Sequence, residues 1–135
     1  MQLEPYLFFY GRCEEALEFY KNAIGGTYEL NRFEGSPMAD QVSADFRNKV
    51  MHATFKGPGF EFMAADGPEG KTLEPEAGNI SLSLATSDDA EGDRVFKALS
   101  EGGQIMMPLA EAFWGGKFGM LTDRFGTEWM ITAGH

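Results

Sequence analysis

Cysteine is nearly absent from the chain: Cys13 is the only one, so no intrachain disulfide can staple the fold. Histidine is almost as scarce, with only His52 and His135, and a site built on several imidazoles has no material to draw on. Basic residues are few. Eleven Lys and Arg stand against 21 Asp and Glu, a formal net charge of -10. With no basic cluster, that balance opposes phosphate backbones and anionic lipid surfaces, so nucleic acid and membranes are not expected partners. No apolar run approaches membrane-spanning length, and no basic stretch followed by an apolar one opens the chain; a soluble cytoplasmic protein is expected.

What the chain does have is apolar and aromatic material. It is 43% hydrophobic over 135 residues, enough for one compact domain with a real core. The segment "LEPYLFFY" predicts a strand over residues 3 to 10, with Pro5 near its start. In "GRCEEALEFYKNAIGG" the apolar residues Cys13, Ala16, Leu17, Tyr20, Ala23 and Ile24 recur at the spacing of one helical face, and Gly25 stops the helix. Strands are expected over 27 to 33, 49 to 56 and 60 to 65, the last two joined as a hairpin across Gly57, Pro58 and Gly59. Residues 66 to 78, rich in Gly, Pro and Glu, predict a surface linker. The loop from Glu34 to Asn48 is too long and polar for a plain connection and predicts a mobile lid.

The pattern then returns. A strand over 79 to 86 is followed by a helix with Ser87 as N-cap and Val95, Phe96 and Leu99 inward, then strands over 104 to 108, 117 to 122 and 128 to 133. Gly25-Gly26 and Gly102-Gly103 end the two helices 77 residues apart. The chain therefore reads as an α+β protein made of two copies of one strand-helix-three-strand unit: module one over 1 to 65, module two over 79 to 135.

This duplicated unit, with "EEALEFYKNAIGG" in the first copy and "FWGGKFGMLTDRFGTEWMI" in the second, resembles the vicinal oxygen chelate superfamily of glyoxalase I, bleomycin-resistance proteins and extradiol dioxygenases. Within it the string Phe113, Trp114, Gly115, Gly119, Asp123, Phe125, Gly126 and Trp129 is similar to the PhnB-like branch, often labelled 3-demethylubiquinone-9 3-methyltransferase-like. The resemblance implies two βαβββ modules whose curved mixed sheets enclose a cleft, with homodimers common. It also implies metal-ligand positions near Pro5 and Asn79 on the first strands, and at Glu61 and Met130 on the last strands. Only Glu61 has the chemistry for a hard divalent ion. Glu128 shares the face of Met130 but lies two residues short of that position. No resident metal or other cofactor is expected.

In the first hairpin Lys56 opposes Glu61, Thr54 opposes Met63 and His52 opposes Ala65, so His52 and Glu61 look out from one face. They are the candidate catalytic pair, as base and orienter or as two ligands of a divalent ion. The plainer reading, which is preferred, makes Glu61 a cross-strand ion-pair partner of Lys56 and His52 a hydrogen-bonded wall residue. The cleft is expected to be lined by Tyr6, Phe8, Asn79, Phe113, Trp114 and Met130, of which Tyr6 and Trp114 carry polar tips. Asp123 and Gly126 predict a turn, with the carboxylate capping local amides. Cys13, on the apolar helix face, reads as a buried hydrophobe. Methyl transfer is rejected, because no glycine-rich loop follows a strand of a parallel doubly wound sheet. The leading reading is a small-molecule-binding protein with an incomplete metal site; the alternative is a divalent-metal isomerase, lyase or dioxygenase using His52 and Glu61.

Overall fold

The structure is a computed structural model that describes residues 1–72 and 79–134. The chain forms two compact units, Met1–Leu73 and Glu74–His135. Unit one runs β1 (Tyr6–Phe8), α1 (Cys13–Ile24), β2 (Thr27–Arg32), β3 (Val50–Gly57) and β4 (Phe60–Ala65). Unit two repeats the order with β5 (Leu82–Thr86), α2 (Asp89–Ser100), β6 (Gln104–Glu111), β7 (Lys117–Thr122) and β8 (Glu128–Ala133). Each unit is a four-stranded mixed sheet, ordered β1-β4-β3-β2 and β5-β8-β7-β6, with the first strand parallel to the last. That is the α+β, twice-repeated βαβββ organisation expected from the sequence.

In unit one, the six α1 residues on the apolar stripe are the six that are buried. They pack with Ala53, Phe55, Phe62 and Ala64, the inward positions of β3 and β4, and Tyr20 meets Phe62 edge-on at 6.1 Å. Burying an aromatic of this size contributes about 1.5–3 kcal/mol. In unit two, Val95, Phe96 and Leu99 are buried as expected, and Gly92 joins them. A Cβ on Gly92 would stand 2.3 Å from that of Ala133, so only glycine lets α2 lie this close to β8.

Several boundaries differ from the expectation. β1 is only three residues long, because Pro5 lies outside it and contributes just its carbonyl, which accepts from Met63 N–H at 2.9 Å. β5 starts at Leu82, leaving Asn79 exposed and outside the strand. β6 runs on to Glu111 as an edge strand, with Pro108 in an irregular stretch where no ladder bond is needed. The α2 cap is Asp88 rather than Ser87: its carboxylate accepts from Ala90 N–H at 2.9 Å and from Glu91 N–H at 3.3 Å. Of the linker expected at 66 to 78, residues 73–78 lie outside the described residues. Its first residue is no surface residue at all: Asp66 is 1% exposed.

The loop from Glu34 to Asn48 is folded into two short 3-10 turns, Ala39–Gln41 and Ala44–Phe46. Phe46 packs on Phe33 at 5.4 Å, Arg47 Nε donates to Ala39 O at 3.0 Å, and Ser43 N–H donates to Glu69 at 3.0 Å. Among the described residues, no helix is long and apolar enough to cross a membrane.

Candidate functional site

The sheet face of unit one that points away from α1 gathers the polar and aromatic positions. Pairings of Tyr6 with Met63, Met63 with Thr54, and Lys56 with Glu61 put these residues on that face, with Phe8, His52, Glu29 and Asn31 at the alternate positions beside them. Tyr6 Oη and His52 Nδ1 lie 3.2 Å apart in a hydrogen bond, their rings 5.8 Å apart. Phe8 continues the aromatic row at 5.1 Å from Tyr6, and Tyr10 follows at 6.4 Å from Phe8. Partial burial pushes the Tyr6 phenol up from its usual range. The phenol therefore serves as a neutral hydrogen-bonding group.

Sequence reasoning named Tyr6, Phe8 and His52 separately; the structure brings them together and makes Tyr6 the partner of His52. Glu61 shares their face but not their neighbourhood. It opposes Lys56, four residues along β3 from His52, or about 13 Å of strand. Side chains standing off a sheet at that spacing do not converge on an ion held at about 2 Å from each. Among the described residues no three His, Cys, Asp or Glu side chains gather as a metal site.

In unit two the face away from α2 is almost uncharged. Ser83 pairs with Met130, Met130 with Met120 and Phe118 with Thr132, so all five share it. The residue beside Met130 on the first strand is thus Ser83, not Asn79. Trp114 stacks edge-on against Phe118 at 5.7 Å and borders this face, half exposed. Phe113 rests on Trp114 at 4.8 Å but is 97% exposed. Glu128 lies at the start of β8, opposite Thr122. His135 lies outside the described residues.

Two buried carboxylates take structural roles. Asp123 is the turn residue expected: Oδ1 accepts from Phe125 N–H and Thr127 N–H at 2.9 and 3.0 Å. Oδ2 accepts from Trp129 Nε1–H at 2.8 Å, which local sequence did not suggest. Asp66 caps α1 from 53 residues away, with Oδ1 accepting from Gly11 N–H and Cys13 N–H at 2.9 and 2.7 Å, and Oδ2 accepting from Val50 N–H at 2.7 Å. Burial, then the nearby Asp66 and Glu14 charges, push the Cys13 thiol up, which keeps it protonated and unreactive. A surface cavity of about 390 Å³ opens beside the start of α1, near Arg12, Arg32 and Lys49. These cations are already engaged: Arg12 with Glu15 at 2.8 Å, Arg32 with Glu14 at 2.9 Å, and Lys49 with Gly11 O at 2.9 Å. The hydrogen bond from Arg32 holds the Glu14 carboxyl below its usual range.

Comparison with known proteins covers nearly the whole chain. The sequence model of a family described as 3-demethylubiquinone-9 3-methyltransferase matches residues 1–132. Protein YjdN of Escherichia coli (strain K12) is 33% identical, over 98% of this chain and 95% of its own. The crystal structure of protein PA1353 from Pseudomonas aeruginosa is 42% identical, with a TM-score of 0.85 over 98% of this chain and 97% of that one. The PhnB protein from Bacillus cereus is 30% identical, with a TM-score of 0.78 over 98% and 99% of the two chains. A member of the glyoxalase/bleomycin resistance protein/dioxygenase superfamily from Sphaerobacter thermophilus, 20% identical with a TM-score of 0.54 over 98% of both chains, shares the fold.

Proposed function

The chain belongs to the 3-demethylubiquinone-9 3-methyltransferase (PhnB-like) family, and for this member we propose a small-molecule-binding role that uses no hard divalent metal. The observation that carries this reading is the Tyr6–His52 hydrogen bond set in an aromatic row, with no three His, Cys, Asp or Glu side chains gathered beside it among the described residues. Whichever nitrogen of His52 holds the proton, the pair offers a ligand one donor and one acceptor beside a stacking surface. Methyl transfer is no part of this reading. Each sheet has a single parallel pair, and the β1–α1 connection, Phe9 to Arg12, has one glycine rather than a dinucleotide-type loop.

The test is a fragment screen of small planar aromatic compounds by protein-observed NMR, before and after chelator treatment. Binders are expected to move Tyr6, Phe8 and His52 resonances equally in both samples. For fragments that move Trp114 resonances, Trp114→Ala is expected to weaken binding by more than 1 kcal/mol, whereas Met130→Leu stays within about 1.5 kcal/mol of wild type. Stoichiometric zinc, manganese or iron removed by the chelator, with loss of binding, would establish the metal-enzyme alternative. Glu128→Gln is expected to leave metal content and binding unchanged.

A homodimer is part of the same proposal. β6 is an edge strand of eight residues with Ile105 and Met106 each about half exposed. An apolar edge of that length invites pairing, and a second copy supplies a matching one. Light scattering at micromolar concentration is expected to give twice the chain mass, and Met106→Lys to shift it toward monomer; a wild-type monomer refutes the assembly.

A further inference from the structure

Three methionines stand in a row on the unit-two face that points away from α2. Met107 on β6 pairs with Met120 on β7, and Met120 pairs with Met130 on β8. Cross-strand partners project to the same side of a sheet, with Cα atoms about 5 Å apart. Three thioethers therefore lie side by side, on stems flexible enough for the outer two to lean over the central one. The irregular register of β6 creates the row. Ile105 pairs with Leu121, which is buried under α2, and the bulge that follows sets Met107 opposite Met120 on the other face.

We propose that Met107, Met120 and Met130 form a binding site for a soft monovalent metal ion of the Cu(I) or Ag(I) kind. Thioether sulfur is a soft, uncharged ligand that favours such ions and holds Zn(II), Mg(II) or Ca(II) poorly. The site is open to solvent: Met107 is 48% exposed, and Met120 and Met130 are partly exposed. Ser83 beside Met130 and Glu128 two residues along β8 on the same face provide an oxygen rim, and the formal net charge of -10 draws cations toward the surface. The one thiol, Cys13, is fully buried in unit one and protonated, so it does not compete in the folded protein. The proposal is independent of organic-ligand binding at the Tyr6–His52 pair.

The test titrates full-length protein with ascorbate-reduced copper against the chromogenic Cu(I) chelator bicinchoninate. Ag(I) is added in parallel to protein labelled with 13C at its eight methionine methyls. One Cu(I) per chain is expected to be retained, and Ag(I) to shift the Met107, Met120 and Met130 methyls alone. Met120→Leu and Met107→Leu are each expected to weaken retention by about tenfold or more, the scale seen when a metal site loses a supporting group. Met63→Leu and Met106→Leu are expected to bind like wild type. Leucine keeps the size of the side chain, so thermal melts report whether each variant is folded. Failure to retain copper against the chelator, equal retention in the triad variants, or loss only in Cys13→Ala or His52→Asn overturns the proposal.

Discussion

Asp66→Ala is expected to lose about 3–5 kcal/mol of stability in urea unfolding, among the largest effects a single side chain in this protein can have. The residue is buried, and its two oxygens satisfy three backbone donors: Gly11 and Cys13 at the start of α1 and Val50 at the start of β3. Each hydrogen bond to a charged acceptor contributes about 1.5–3 kcal/mol, and each donor left bare keeps its desolvation cost. The sum falls below three full bonds because water can enter the space left by the side chain. Position matters as much as count. Helix α1 starts at Cys13 with no side-chain cap of its own from Arg12, so Asp66 is both its cap and the negative charge at its dipole. Asp66→Asn separates the two roles. One amide oxygen can still accept from Gly11 and Cys13, but the NH2 group then faces Val50 N–H, donor against donor. A cost of about 2 kcal/mol is expected, and equal stability of Asn and wild type would show that the second oxygen contributes nothing.

Asp66 is also the residue whose role local sequence pattern hides. "AADGPEG" looks like the start of a polar connector, because Gly, Pro and Glu are surface residues as a rule. The contact that buries Asp66 spans 53 residues, and no local pattern encodes it. By contrast, β4, β7 and β8 fall on their expected residues, because alternation and turn glycines are local signals, and the α1 stripe named its buried face residue by residue. The Lys56–Glu61 and Thr54–Met63 pairings were likewise legible, since a two-residue hairpin fixes register. His52 and Glu61 could be placed on one face by alternation, and their separation along it follows from the same register. The Tyr6–His52 bond needed β1 to lie beside β4, a parallel pairing that no turn announces. The methionine row was hidden for a related reason: no glycine or other local signal announces the bulge between Ile105 and Met107, and without it Met107 does not face Met120.

Asp123→Ala is expected to cost about 2–4 kcal/mol and to disturb the β7–β8 hairpin rather than α2. The carboxylate ties the turn in two directions: to the amides of Phe125 and Thr127 within it, and to the indole of Trp129 on the strand beyond. Asp123 N–H also donates to Thr127 O at 2.9 Å, closing the turn next to the Thr122–Glu128 pair. That closure counts the residues between the strands, and a slip of one would turn Trp129 out of the core and Met130 into it. Trp129 is 2% exposed, so the slip is opposed by its burial as well as by the carboxylate. A double-mutant cycle separates the two. Trp129→Phe removes the Nε1 donor while keeping an aromatic ring, and its cost is expected to be about 1–2 kcal/mol smaller in the Asp123→Ala background than in wild type. Identical costs in both backgrounds would mean that the 2.8 Å contact adds nothing and that indole burial alone holds the register. The Met120 and Met130 methyl resonances report the same event from the other face, because these residues stay opposite each other only while the turn keeps its count.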